Sequence, residues 1–311
     1  MAHVFVTGAA GFIGSHTVDR LLAAGHAVTG LDNFRTGRRA NLAVALASPH
    51  FAFHEVDVAA PGTLAELVAA TKPDSIIHLA ALVSVQESMT NPDLNYALNI
   101  HATHLVAEAA RRHAVRRIVF ASSAAIYGDA TDFPIRESTE KKPISPYGSA
   151  KLASEGLLLG HGAAFGLTIR CQRYFNVFGP RQDPASPYSG VISIFDRHYR
   201  DGKGATIYGD GQQTRDFISV HDVARANVLA ATAPAVTSGV SNICTGRATS
   251  LLDVISVFAR HYPAAPSVVH GAPRTGDILN SLGAPEQAAA ALGFRAEVSV
   301  EEGLSELIRS G

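Results

Sequence analysis

Tyr147-Gly-Ser-Ala-Lys151 sets a phenol and an ammonium four residues apart. On a helix these side chains share one face. An ammonium held near a phenol stabilises the phenolate and draws its pKa down from about 10 toward neutrality. Tyr147 then becomes a general base for a sugar or alcohol hydroxyl. Ser122-Ser123-Ala124-Ala125 follows a strand-like run, Arg117 to Ala121. A hydroxyl there emerges at the carboxyl edge of a parallel sheet, where ligands bind. A tyrosine, a lysine and one of these serines would form a dehydrogenase triad. The plainer alternative is an exposed helix pair beside a serine-rich strand end.

A second constellation is Thr7-Gly8-Ala9-Ala10-Gly11-Phe12-Ile13-Gly14. It lies between an apolar run and a helical pattern, as a dinucleotide site requires. Gly8 allows the tight turn, Gly11 the approach of a pyrophosphate, and Gly14 close packing of helix on strand. The helix start at Phe12 and Ile13 offers free N–H groups and a partial positive charge to the phosphates. Asp32, in Leu31-Asp32-Asn33, stands where a carboxylate accepts from adenosine ribose hydroxyls and repels a 2′-phosphate. NAD is therefore favoured over NADP, although Arg35 and Arg38 lie close by. Asp57-Val58 is placed to meet adenine, and Leu79-Ala80-Ala81 puts small residues beside the pyrophosphate. Either segment reads equally well as strand-end packing.

These groups need a scaffold. The patterning predicts strands at His3–Val6, Ala27–Leu31, Phe51–Glu55, Ser75–Leu79, Arg117–Ala121 and Thr168–Tyr174. Helical stretches fall at Gly11–Ala24, Pro61–Thr71, Asp93–His113 and Pro146–Phe165. Strands apolar on both faces suit a buried parallel sheet. The alternation gives an α/β, doubly wound (Rossmann) fold. Residues 1–175 form the dinucleotide domain, and 176–311 a smaller C-terminal α/β substrate lobe interleaved with it. In that lobe the pattern loosens into a Pro-rich loop, a strand near Thr206–Tyr208, and helices near Val191–Arg200, Asp222–Ala231, Leu251–His261 and Glu301–Arg309.

Composition narrows the classes. The 311 residues carry 26 Lys plus Arg against 27 Asp plus Glu, a formal net charge of −1. That argues against a nucleic-acid binder, which shows a basic excess or stripe. Hydrophobic residues at 47% and charged residues at 17% fit a well-cored globular protein. Cys171 and Cys244 cannot make a disulfide framework, which points to a reducing compartment. No signal-peptide pattern and no run of about 18 apolar residues is visible, so a cytoplasmic protein without a membrane span is expected. The 14 histidines show no metal-ligand spacing, and no metal is expected.

Taken together, these motifs resemble the NAD-dependent nucleotide-sugar epimerase/dehydratase family, extended short-chain dehydrogenase/reductases, and within it the UDP-hexose 4-epimerase branch. The carrying segments are Thr7–Gly14, His78–Ala81, Ser122–Gly128, Ser145–Lys151, Arg173–Pro180 and Thr214–Phe217, over nearly the whole chain. The resemblance implies Ser123 as the catalytic serine beside Tyr147 and Lys151. Lys151 would also hold the nicotinamide ribose, and Asn99 would help place the cofactor or a site water. It implies Asn176, Arg215 and Arg274 on the diphosphate, Asp277 on a ribose and Tyr208 on the uracil of a UDP-sugar. Guanidinium groups suit phosphate chemically, through bidentate donation.

The dehydratase branch carries an Asp-Glu pair directly after the catalytic serine or threonine. Here those positions are Ala124 and Ala125, which favours 4-epimerisation through a 4-keto sugar over water elimination. Ser281 matches a position flanking the C2 substituent. Its small side chain, with the segment around Ser84, points to N-acetylated sugars. A uronic sugar, a plain hexose, a net oxidoreductase and a silent NAD-binding protein stay open. Synthesis of a surface polysaccharide is the expected setting. The helices Asp93–His113 and Pro146–Phe165 match those that pair as a four-helix homodimer interface.

Overall fold

The computed structural model describes residues 1–183, 190–265, 268–272 and 279–310. The chain first builds β1 (His3–Thr7), α1 (Phe12–Ala23), β2 (Ala27–Asp32), α2 (Ala43–Leu46), β3 (Phe51–Glu55), α3 (Thr63–Thr71) and β4 (Ser75–His78). It continues with α4 (Val85–Thr90), α5 (Pro92–Asn95), α6 (Ala102–Arg112), β5 (Arg117–Ser123), α7 (Pro146–Phe165) and β6 (Thr168–Tyr174). Next come β7 (Asn176–Phe178), α8 (Val191–Arg200), β8 (Thr206–Tyr208), β9 (Thr214–Arg215), β10 (Phe217–Ser219) and α9 (Val220–Thr232). The last elements are β11 (Gly239–Ile243), β12 (Thr249–Ser250), α10 (Leu251–His261), β13 (Val269–Gly271), α11 (Glu286–Leu292) and α12 (Val300–Ser310).

Among the described residues seven strands form one parallel sheet in the order β11-β6-β5-β4-β1-β2-β3. Alternate residues of β1 go to opposite faces, as a pleated strand requires. Val4 and Val6 join a core with Val18 and Leu21 of α1 and Ala226 and Ala230 of α9. Phe5 joins another with Val68 of α3, Val106 of α6 and Leu158 of α7. The sheet is thus covered on both faces, which is why its strands read as continuous apolar runs. Strand order reverses between β1 and β4, opening a crevice at the strands' carboxyl ends.

Residues from 176 onward do not stay in a separate lobe. α9 packs on α1, with Asn227 Nδ2 donating to Thr17 Oγ1 at 3.1 Å, and β11 completes the sheet beside β6. What stands apart is a small core of α8, α10 and α12, where Tyr199 stacks on Phe258 with centroids 5.2 Å apart.

Two helices matter most for the site. α7 starts where the Ser145 hydroxyl accepts from Gly148 N–H at 3.1 Å with Pro146 at the first turn, and it ends on Gly166 at φ +75°. The stretch expected as one helix over Asp93–His113 is instead α5, a π turn over Tyr96–His101, and α6. The carbonyl of Asn99 inside that turn accepts from Thr103 Oγ1 at 2.6 Å and from Ser154 Oγ of α7 at 2.8 Å. These hydroxyl donors satisfy a carbonyl that a regular ladder would use. No described helix is long and apolar enough to cross a membrane.

Candidate active site

A cleft of about 1070 Å³ runs along the carboxyl ends of the strands and is closed on its far side by the small lobe. Its floor is the glycine turn. Gly8 sits at φ +72°, and a Cβ there would lie 2.8 Å from Ala80 N. A Cβ on Gly14 would lie 1.9 Å from the Gly8 carbonyl oxygen. The turn is therefore packed to the limit a backbone allows. α1 begins on Gly11 with no side-chain cap and no acidic residue in its first turn. The N–H groups of Phe12, Ile13 and Gly14 have no intrahelical acceptor and point their partial charge at the cleft. This cradle fits a dinucleotide pyrophosphate.

Asp32 ends β2 and is buried. One carboxylate oxygen accepts from Ala10 N–H at 3.0 Å, the other from Phe34 N–H at 2.8 Å. Burial pushes its pKa up, and these backbone donors oppose the rise. The Gly11 and Asn33 N–H groups also bond this carboxylate, which fixes it at the cleft end where the ribose of a bound dinucleotide would lie. Arg35 pairs with Glu87, and Arg38 with Asp183 at 2.7 Å. Both nearby arginines are thus engaged by carboxylates, which leaves Asp32 to set the preference against a 2′-phosphate. Asn33, Asp57, Val58, Leu79, Ala80 and Ala81 line the same end of the cleft.

Ser123, Tyr147 and Lys151 meet at the middle. Lys151 Nζ donates to the Ala121 carbonyl at 2.8 Å and lies 5.9 Å from the Tyr147 ring centroid. Ser123 caps the short 3-10 turn Ala124–Tyr127, accepting from Ala125 N–H at 3.1 Å, and its hydroxyl bonds the Tyr147 phenol. The electrostatics differ from the sequence expectation. Burial pushes the Tyr147 phenol up, opposed by Ser123, and Lys151 is not among the groups that lower it. Burial also pushes Lys151 down to about 7, opposed by Glu155, so its ammonium is only partly populated near neutrality. The lysine's own desolvation weakens the field it was expected to supply.

On the facing wall stand Asn176, Tyr208 and Arg215. Arg215 donates to the carbonyls of Thr214 and Leu279, and Tyr208 is 40% exposed. Ser84 also lines the cleft and caps α4, accepting from Glu87 N–H at 2.9 Å. Two expected residues are not brought to the wall. Asn99 is buried in the π turn, where its Nδ2 donates to the Leu82 carbonyl at 3.0 Å and to Asn95 Oδ1 at 2.7 Å. It anchors the segment behind Leu79–Ala81 instead of lining the cleft. Ser281 is half-buried and tied by its N–H to the Thr214 carbonyl at 3.1 Å. Arg274 and Asp277 lie outside the described residues. Among the described residues no group of three or more His, Cys, Asp or Glu could hold a metal ion.

Sequence reasoning gave His78 no specific part. Its Nδ1 bonds Thr7 Oγ1 at 2.8 Å and its Nε2 bonds Thr103 Oγ1 at 3.1 Å, bracing the glycine turn from beneath. Burial drives its pKa down to about 3, with the Lys151 charge adding to the effect. Burial likewise takes His16, bonded to the Pro180 carbonyl, to about 4. Both rings are neutral in the fold, whereas in the unfolded chain each takes a proton near pH 6.5. Unfolding therefore binds extra protons as pH falls below 6.5. Stability is expected to drop there by up to ~1.4 kcal/mol per pH unit for each ring. Urea melts at pH 7.0 and 5.5 measure this. Equal midpoints would exclude neutral burial of the two rings.

Comparison with known proteins places this geometry. The family model described as "NAD dependent epimerase/dehydratase family" matches residues 4–244. The chain is 38% identical over 304 residues to a UDP-glucose 4-epimerase of Mycolicibacterium smegmatis, covering 97% of this chain and 96% of the relative. Among solved structures it superposes on the UDP-glucose 4-epimerase of Thermus thermophilus in complex with NAD. That match has a TM-score of 0.89 and 35% identity, covering 99% of this chain and 98% of the other. It also superposes on a UDP-N-acetylglucosamine 4-epimerase from Methanobrevibacter ruminantium in complex with UDP-N-acetylmuramic acid. There the TM-score is 0.93 at 34% identity, with 99% and 97% covered.

Proposed function

The chain belongs to the NAD-dependent epimerase/dehydratase family, and from that premise we propose that it inverts C4 of a UDP-hexose through a transient 4-keto sugar. The observation that carries the choice of reaction is the state of the acids in the cleft. Ala124 and Ala125, which follow Ser123, cannot transfer protons. The described carboxylates that line the cleft are all engaged. Asp32 and Asp57 accept from backbone N–H groups, and Glu87 and Asp183 pair with arginines. No carboxylate pair is left for the acid and base steps of water elimination.

NAD, when bound on the glycine turn, supplies a hydride acceptor at C4 that later returns the hydride, and a positive ring charge that favours phenolate. Tyr147 takes the proton of the sugar 4-hydroxyl and gives it back to the same oxygen after the sugar has turned over. Ser123 donates to the reacting oxygen, stabilising the charge that develops there. Lys151 holds a ribose and adds its charge beside the phenol. Arg215 and Asn176 hold the diphosphate, and Tyr208 packs on the base. Such anchoring at the nucleotide end leaves the sugar free to turn over between the two hydride transfers.

The proposal extends to sugars with a C2 acetamido group or a C6 carboxylate. Ser281 supports the first as a small residue tied to Thr214, next to the cleft-lining Arg215, although it does not itself line the cleft. Supply of epimerised sugar to surface polysaccharide in the cytoplasm follows from the same reading, as does a homodimer formed through α6 and α7. The test is proton NMR of UDP-glucose, and separately UDP-N-acetylglucosamine, with purified protein and no added NAD. New anomeric signals of the 4-epimer are expected with at least one. Silence with both, from protein that carries NAD, would exclude these two sugars, and silence with UDP-glucuronic acid as well would overturn the proposal.

A further inference from the structure

The last three residues of β5 each engage one residue of α7, and the α7 partners are spaced by four. The Ala121 carbonyl takes Lys151 Nζ, the Ser122 hydroxyl donates to Glu155 Oε1, and the Ser123 hydroxyl bonds Tyr147. Glu155 lies one turn beyond Lys151, faces inward and is 3% exposed. Arg173 of β6 grips it as a fork, Nε to Oε1 at 2.9 Å and Nη2 to Oε2 at 2.7 Å. The same guanidinium donates through Nη1 to the Tyr127 hydroxyl at 2.8 Å. Tyr127 closes the 3-10 turn that Ser123 caps, and its own proton goes to Asn242 Oδ1 at 2.7 Å. One arginine therefore ties the helix bearing Tyr147 and Lys151 to the turn bearing Ser123.

We propose that Ser122, Glu155 and Arg173 are positioning residues that set the register of α7 on β5, and with it the Ser123–Tyr147 contact and the seat of Lys151. This rests on the reading of the trio given above. None of the three residues needs to touch substrate. A buried ion pair adds little net stability over an apolar substitute, and register is its best-attested use. The need for it here is local. α7 meets the sheet and the 3-10 turn through small residues, Gly148, Ala150 and Ser154. A Cβ on Gly148 would come within 2.6 Å of the Ala125 carbonyl oxygen. Small side chains permit this approach but interlock weakly at the catalytic end of α7, whereas its large apolar anchor, Leu158, lies about two turns beyond Lys151.

The Ser123–Tyr147 contact gives the inference a second readout. The Ser123 hydroxyl is the group that opposes burial and draws the Tyr147 phenol down. The titratable groups nearby are Lys151 and Glu155 on α7, neutral His78 on β4 and Arg173 on β6. A slipped register loses the Ser123 hydrogen bond, and phenolate then forms at higher pH.

The experiment uses NAD-loaded protein with Ser122→Ala and Glu155→Gln. Kinetics with the active UDP-sugar are one readout. The other is the Tyr147 phenolate titration, taken as the ultraviolet difference between each protein and its Tyr147→Phe counterpart. Ser122→Ala is expected to lower kcat about tenfold with KM within about twofold and an unchanged melting temperature. Glu155→Gln is expected to lower kcat further and raise the phenolate midpoint by about one unit. Folded Ser122→Ala with parental kcat and phenolate midpoint would overturn the inference, even if Glu155→Gln fails to fold. A parent with no epimerase activity removes the proposed function, while the titration still decides the positioning role.

Discussion

Tyr147→Phe is expected to reduce kcat by about 10²–10⁴-fold, the span that a positioned general base contributes. The loss belongs to the chemical step. The ring keeps its packing between Ser123 and Lys151, so NAD content and KM are expected to stay near those of the parent. What disappears is the one oxygen that bonds Ser123 and can take the substrate proton. Burial holds that oxygen's proton above its ordinary pKa, so the parental rate is expected to rise with pH through neutrality. The small residual rate of Tyr147→Phe is expected to lack that rise. Rate against pH for both proteins is the measurement. Parental turnover in the variant would remove Tyr147 from the mechanism.

Gly14→Ala is expected to release NAD and lower the melting temperature by about 2–5 °C. The new methyl would lie 1.9 Å from the Gly8 carbonyl oxygen, a backbone atom. Gly8 cannot retreat, because it is held at φ +72° against Ala80 N. Either α1 tilts off the sheet or the turn opens. Overpacking of this kind costs about 1–3 kcal/mol, which for a chain of this size is a shift of several degrees. The turn is also the floor of the pyrophosphate cradle, so cofactor retention should fail before the fold does. Thermal melts and the ratio of absorbance at nucleotide and protein wavelengths decide it. Full NAD content in the variant would show that the cradle lies elsewhere.

Most of the first six strands were legible because they are buried on both faces and so read as apolar runs, while the edge strand β3, half-exposed, was legible from its Phe51 and Phe53 alternation. The seventh was not. Gly239-Val-Ser-Asn-Ile243 carries Ser241 and Asn242, which look like turn residues yet are fully buried. They belong inside because partners wait for them: Arg170 for Ser241, and Tyr127 and the Ile135 carbonyl for Asn242. Side-chain partners far apart in sequence leave no periodic trace. The glycine turn, Asp32 and the Tyr147–Lys151 pair were legible, since their chemistry needs fixed spacing. Glu155 was not, because a carboxylate eight residues beyond Tyr147 on a helix looks like a solvated face until Arg173 is seen beneath it. Asn99 shows the opposite case, in which a motif position was visible but its side chain is buried in the π turn and does not line the cleft.

The sheet's composition also orders its manufacture. β6 is an inner strand only because β11 lies beside it, and 65 residues separate Tyr174 from Gly239. At about 5–20 residues per second a ribosome needs roughly 3–13 s to make that stretch. Through that interval the nascent chain presents Thr168–Tyr174 as an open edge with unpaired backbone groups, a template for another strand. Newly made protein is therefore most exposed to aggregation, and most in need of a chaperone, just before its last sheet strand emerges. Truncations ending between 175 and 238 would hold the molecule at that stage.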